Sequence, residues 1–319
     1  MRILLWNVHG GYSDSLLGGG HEYLYLRPEE GGSELPVLSI PGPVQLRHVS
    51  AEELRDAPPD VVVLQNLPEL EVLTALGLRA GRDVPTVYLE HNTPREDVPE
   101  SRHPLADRDD LTIVHVTHLN ALFWDCGSTP TAVVEHGVPD PGLRYTGERA
   151  ALAFVVNEPV RRWRVTGTDL LDRFAAHPVD AFGIDADLLP AALPQCGQLT
   201  YAGNLKPGEL WAALPQRRAY LHLNRWTSLG LSLIQAMMLG LPVLVLATTE
   251  AARTVPPGAG ALSTDLAVLQ REAARLLVDP DEAAERGRLA RTAALERHGI
   301  ERFLQDWDRV LAAVVGTGA

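Results

Sequence analysis

Short, continuously apolar runs recur along the chain, and each is followed by a helical pattern. RILLWNV (2–8), DVVVLQN (60–66), PTVYLE (85–90), TIVHVT (112–117) and TAVVEH (131–136) form one series. ALAFVVN (151–157), VDAFGI (179–184), QLTYAGN (198–204), AYLHLN (219–224), PVLVLA (242–247) and GALS (260–263) form a second. A strand that is apolar at every position is buried on both faces, the condition of a parallel sheet with helices on either side. Alternation of such strands with helices predicts right-handed crossovers and a doubly wound α/β fold. The chain has 319 residues, enough for two cores of ~150 residues each. Two Rossmann-like halves are therefore expected. The Pro-, Gly- and charge-rich stretch 138–150 marks the boundary, giving domains 1–145 and 146–299 and a C-terminal segment 300–319. Helical patterns close the chain at 265–277, 281–297 and 300–315, the last carrying Phe303, Trp307, Val310 and Leu311 on one stripe. The Pro/Gly-rich stretch 27–48 reads as a loop.

A net charge of −13 argues against a general nucleic-acid binder. Lys206 is the only lysine, which looks like genome composition rather than chemistry. Cys126 and Cys196 stand far apart, outside any C-x-x-C, and suggest a reducing compartment and no metal motif. No stretch reaches the ~18 apolar residues of a membrane span, and MRILLWNVHGG runs too soon into glycine for a signal peptide. A cytoplasmic protein without a membrane segment is expected.

The run RWTSLGLSLIQAMMLGLPVLVL (225–246) is the densest in chemical signals. It reads as loop, helix, strand. Thr227 or Ser228 can cap the helix, Gly230 lets a ligand approach the backbone, Gly240 ends the helix and Pro242 blocks its continuation. A helix starting at the carboxyl edge of a parallel sheet offers free N–H groups and about half a positive charge, a seat for phosphate. Gln235, alone among apolar neighbours, needs a partner: a ligand hydroxyl or a loop.

The same segment resembles the donor-site motif of GT-B glycosyltransferases of family 4, E-G-F-G-L-x-x-x-E-A-M-A-x-G-L-P-V. The spacing is intact, as are Gly230, Leu231, Ala236, Met237, Gly240, Leu241, Pro242 and Val243; Thr227 and Gln235 replace the two glutamates. Other stretches resemble that family in order. LLGGGHEYL (16–24) is similar to its glycine loop, and PTVYLEHNTPRE (85–96) to the strand ending in an acceptor-side histidine. The 114–142 segment resembles its V-I-P-N-G-V-D region, with His136 where Asn is usual. The 153–175 segment resembles the strand and helix whose Arg and Lys clamp the diphosphate, with Arg161 at the arginine position and Thr166 in place of the lysine.

The resemblance implies two Rossmann-like domains facing across a cleft, with the last helix crossing back to the first domain. It implies a retaining, metal-independent glycosyltransferase that uses a nucleotide-diphosphate sugar as donor and no cofactor. The acceptor and oligomeric state are not implied. His91 would face the transferred sugar and Arg161 the diphosphate. Gly18, Gly19, Gly20, Arg162, Thr166, Thr227, Ser228, Leu229, Gly230, Leu231 and Gln235 would surround the donor, with Arg164 a further stand-in for the lysine. His9, after the first strand, is a candidate cleft residue; His118 and His136 read as structural. With both glutamates replaced, a catalytically degenerate GT-B protein that binds a nucleotide sugar or a partner is the alternative, and an epimerase-like enzyme on the same fold ranks third.

Overall fold

The computed structural model describes residues 1–8, 10–36, 38 and 43–316. The chain divides into two compact units: Met1–Pro139 with Ile300–Ala319, and Asp140–Gly299.

In unit one, strands β1 (Arg2–Leu5), β2 (Glu22–Leu26), β3 (Gln45–Val49), β4 (Val61–Leu64), β5 (Thr86–Glu90), β6 (Thr112–His115) and β7 (Thr131–Val133) form one sheet of order β3-β2-β1-β4-β5-β6-β7. Every pairing is parallel. Helices α1 (Gly10–Leu17), α2 (Ala51–Asp56), α3 (Pro68–Ala75) and α4 (His118–Phe123) connect strands. The VVVL of β4 is buried at each position, as a strand covered on both faces must be. Two strands escaped the sequence reading. β3, QLRHV, lies within and just beyond the expected loop; it is an edge strand with alternating exposure, so it lacks the continuous apolar signal. β2, EYLYL, is buried, but it follows a glycine run that masks it.

Unit two contains β8 (Arg149–Val155), β9 (Val179–Phe182), β10 (Leu199–Gly203), β11 (Arg217–His222), β12 (Val243–Leu246) and β13 (Gly260–Ser263), all parallel in the order β10-β9-β8-β11-β12-β13. Its helices are α5 (Trp163–Thr166), α6 (Leu189–Ala192), α7 (Pro207–Ala213), α8 (Leu231–Leu239), α9 (Ala251–Thr254), α10 (Leu266–Val278) and α11 (Pro280–His298). α8 ends on Gly240 at φ +93°, whose N–H donates to the carbonyls of Ala236 and Met237. α11 lies hard against that end: a Cβ on Gly287 would stand 1.9 Å from the Gly240 carbonyl oxygen. Arg291, one turn further along, donates to the Met238 carbonyl and, at 2.7 and 2.8 Å, to both oxygens of Asp140. A cation at a helix C-terminus offsets the negative end of its dipole.

The last helix, α12 (Ile300–Gly316), belongs to unit one. It buries Phe303, Trp307 and Leu311 among Tyr12, Val63, Val87 and Val114. Trp307 Nε1 donates to the Tyr12 hydroxyl at 3.0 Å, a bond inside the core.

Candidate donor and acceptor sites

In an open parallel sheet, ligands bind outside the carboxyl ends of the strands where the winding direction reverses. In unit two that point lies between β8 and β11, which pair directly although β9 and β10 follow β8 in the chain. Two loops leave there, one toward Arg161 and one toward α8. They are locked together: the backbone N–H groups of Arg225 and Trp226 both donate to the Val165 carbonyl, and Arg225 Nη1 donates to the Arg164 carbonyl. Gly167, at φ +71°, permits this contact, since a Cβ there would come within 1.9 Å of the Leu223 carbonyl oxygen. The structure thus lays the 161–167 segment against the loop that leads to Thr227, Ser228, Leu229, Gly230 and Leu231.

Arg161 is exposed and makes two hydrogen bonds to Glu158, at 2.7 and 2.5 Å. The guanidinium holds the Glu158 carboxyl below its ordinary range, while Glu158 itself adopts a left-handed φ of +54°. Arg162 is half-buried and donates its N–H to the Glu158 carbonyl. Asp169 accepts from Arg164 at 2.7 Å and from Arg225 at 2.5 and 2.8 Å, leaving one net positive charge in the triad. Burial pushes the Asp169 pKa up, but the bonds and charge of Arg225, with Arg164, bring it down overall. Thr166 does not take the place of a diphosphate-clamping lysine. Its side chain is buried, 2.8 Å from the Thr168 hydroxyl and within reach of the Arg162 and Trp163 carbonyls, so it serves the turn.

The expected hydroxyl cap on α8 is absent. The N-cap is Gly230, and no side chain accepts from the first turn. Thr227 and Ser228 lie outside the helix, and their hydroxyls find no hydrogen-bond partner among the described residues. The half-buried Gln235 amide is likewise unpartnered among them. Leu229 is buried and anchors the loop. The Leu233 N–H is taken by the Gly230 carbonyl; the N–H groups of Leu231 and Ser232, two hydroxyls and one amide stand without a partner among the described residues. His222, the last residue of β11 and not singled out in the sequence, sits against Gly230.

In unit one the winding reverses between β1 and β4. His91 directly follows β5, and Gln65 directly follows β4. Gln65 Nε2 donates to the Trp6 carbonyl at 2.6 Å, so its Oε1 faces His91 Nε2, 2.8 Å away. That orientation places the shared proton on His91 Nε2. Tyr12 meets the His91 ring edge-on, with centroids 4.9 Å apart. Glu90 is committed on both oxygens: it accepts from the Asn92 backbone N–H at 2.6 Å and from the His103 side chain, at Nε2, at 3.2 Å. Beside this turn opens a cavity of about 600 Å³ whose lining includes Glu90, Asn92, Arg95, Glu100 and Trp124.

Gly18, Gly19 and Gly20 are misplaced by the sequence reading. They follow α1 and precede β2, and because β1 and β2 are parallel, α1 returns the chain to the amino edge. There the Glu22 N–H donates to the Met1 carbonyl, and His21 pairs with Asp308 at 2.9 Å. These glycines lie at the opposite edge of the sheet from His91. The glycines at the carboxyl edge are Gly10 and Gly11, which open α1 after β1; a Cβ on Gly10 would meet nothing within 4 Å. The strand–Gly–Gly–helix order in RILLWNVHGGY carries that signal. His9 lies outside the described residues. His118 is exposed at the start of α4, and His136 is buried, its ring edge-on to Tyr12 with centroids 5.7 Å apart.

No protein-family model matches the sequence, and no curated protein does either. Solved structures do match. Sucrose-phosphate synthase from Thermosynechococcus elongatus superposes with a TM-score of 0.74 at 14% identity, covering 99% of this chain and 100% of that one. Anabaena HepE in complex with UDP-glucose gives 0.70 at 14% identity, covering 98% of this chain and 100% of that one. The chain has a GT-B fold. S. aureus TarM, solved with UDP, gives 0.63 at 11% identity over 82% of this chain and 58% of that one. At these identities the likeness to GT-B proteins is one of fold, and the chemistry rests on the residues described above. Among the described residues, no helix is long and apolar enough to cross a membrane.

Proposed function

We propose that this protein is a glycosyltransferase whose second unit holds a nucleotide-diphosphate sugar at the amino end of α8. The carrying observation is the set of unclaimed donors there: the uncapped first turn, the hydroxyls of Thr227 and Ser228, and the Gln235 amide. Transfer breaks the bond from the anomeric carbon to the diphosphate, so negative charge grows on the leaving group as the sugar becomes oxocarbenium-like. Helix N–H groups and Arg161 are suited to that charge, Arg161 in bidentate fashion once it releases Glu158. In this reading Gln235 bonds the donor ribose and Thr227 contacts the transferred sugar. His91, held by Gln65, is the candidate contact on the acceptor side. Retention and independence of divalent metal belong to this reading, as does a water-soluble protein working in the cytoplasm on an acceptor still to be identified.

The replaced glutamates and the occupied Arg161 favour one second reading, a GT-B protein that binds a nucleotide sugar without transferring it. Incubation with UDP-, GDP-, ADP- and TDP-sugars, followed by assay of released nucleotide, separates the two. Release with one donor supports transfer. Saturable binding without release across varied acceptors supports the binding protein. Absence of both binding and release removes the donor site from unit two.

A further inference from the structure

The face of β11 beneath α8 carries Tyr220 and then His222, while Ala219, Leu221 and Leu223 point into the apolar core on the other face. The two rings stack at 6.1 Å with 26° between their planes. Their polar atoms fare differently. The Tyr220 hydroxyl donates to Ser232 Oγ at 2.9 Å. His222, only 5% exposed, has no hydrogen-bond partner for either nitrogen among the described residues. An imidazole kept in that state at the end of a central strand needs a reason.

Its orientation supplies one. A Cβ on Gly230 would stand 2.7 Å from His222 Cε1 and 3.4 Å from Nε2. The Cε1–Nε2 edge is therefore pressed against the N-cap residue of α8, where no side chain caps the first turn. Any residue larger than glycine at 230 would crowd that edge. An uncapped helix end and an imidazole edge beside it with no protein partner among the described residues suit one and the same anionic group.

We infer that His222 is a direct contact to the donor, its imidazole hydrogen-bonding a phosphate oxygen of the nucleoside diphosphate seated on the first turn of α8. This rests on the functional reading above and adds a residue to it. Thr166, turned inward onto Thr168, offers no side-chain donor there. Burial pushes the His222 pKa down to about 4, so near neutral pH the free protein presents a neutral ring with one N–H to donate.

The test is calorimetric titration of the full chain with UDP, GDP, ADP and TDP, together with ¹H–¹⁵N spectra of the histidine rings, His222 being assigned by its loss in H222Q. The expected result is that one nucleotide binds and shifts the His222 ring signals. His222→Leu should then weaken binding about tenfold, and His222→Gln, which keeps a donor, should weaken it less. If a nucleotide binds the wild type while the His222 signals stay fixed and His222→Leu binds equally well, the His222 contact is overturned and the donor site stands. If His222→Leu does not fold, the wild-type spectra alone decide between these outcomes. If none of the four nucleotides binds, both the contact and the donor site fall.

Discussion

A carboxylate already sits on Arg161. The Glu158 pair is exposed and joins neighbours three apart, so solvent screens it and it holds the guanidinium weakly, a hold that a diphosphate can displace. Glu158→Gln is expected to tighten nucleotide binding two- to fivefold, and Arg161→Ala to weaken it at least tenfold, both read by calorimetry. If Arg161→Ala binds as the wild type does, Arg161 leaves the site. Gln235 offers a second test at this scale. Gln235→Glu substitutes an ionised acceptor for an amide and should strengthen donor binding by about 1 kcal/mol, or roughly fivefold in Kd; an unchanged Kd would take position 235 away from the ribose. Gln235 was legible because one amide stood out in an apolar helix. His222 was not, because a histidine within AYLHLN reads as part of a strand; only the fold puts its ring against Gly230.

At the scale of the element, α8 depends on contacts at both ends. Its start is kept open by Gly230, and its end is set by Gly240 and pinned by α11. Gly287→Ala would force a Cβ to within 1.9 Å of the Gly240 carbonyl oxygen, so the two helices must separate. We expect a loss of about 1–3 kcal/mol, seen as a lower urea midpoint, with donor binding weakened as α8 shifts. A substitution tolerated without loss would mean that the contact is looser than drawn. Central strands buried on both faces announced themselves through unbroken apolar runs, which is why β8 and β12 were legible in the sequence. β3 did not, because an edge strand alternates polar and apolar residues within a Pro/Gly-rich context. The glycine loop was mistaken for Gly18–Gly20 because a run of three glycines is conspicuous. Gly10 and Gly11 are the pair that topology carries to the carboxyl edge of β1.

For the whole molecule, buried neutral histidines set a pH response in each unit. Burial lowers the pKa of His115 in unit one and of His222 in unit two to about 4, against about 6.5 in an unfolded chain. Above pH 6.5 both states are neutral there and nothing is lost. As pH falls toward 4 the unfolded chain takes up protons that the folded one refuses, so stability declines, by up to roughly 3 kcal/mol per ring. Buried Glu69, whose pKa is raised by burial, acts in the opposite direction and partly offsets this. Urea midpoints measured between pH 7.5 and 4.5 should fall, and a double substitution of His115 and His222 by Asn should flatten the curve; an already flat wild-type curve would contradict these burials. The interrupted path of unit one has a temporal consequence. Trp307, which bonds Tyr12 beneath the His91 ring, leaves the ribosome only after all of Asp140–Gly299 has been made. A nascent chain ending at 299 would own a finished second unit while its first unit still waited for a keystone.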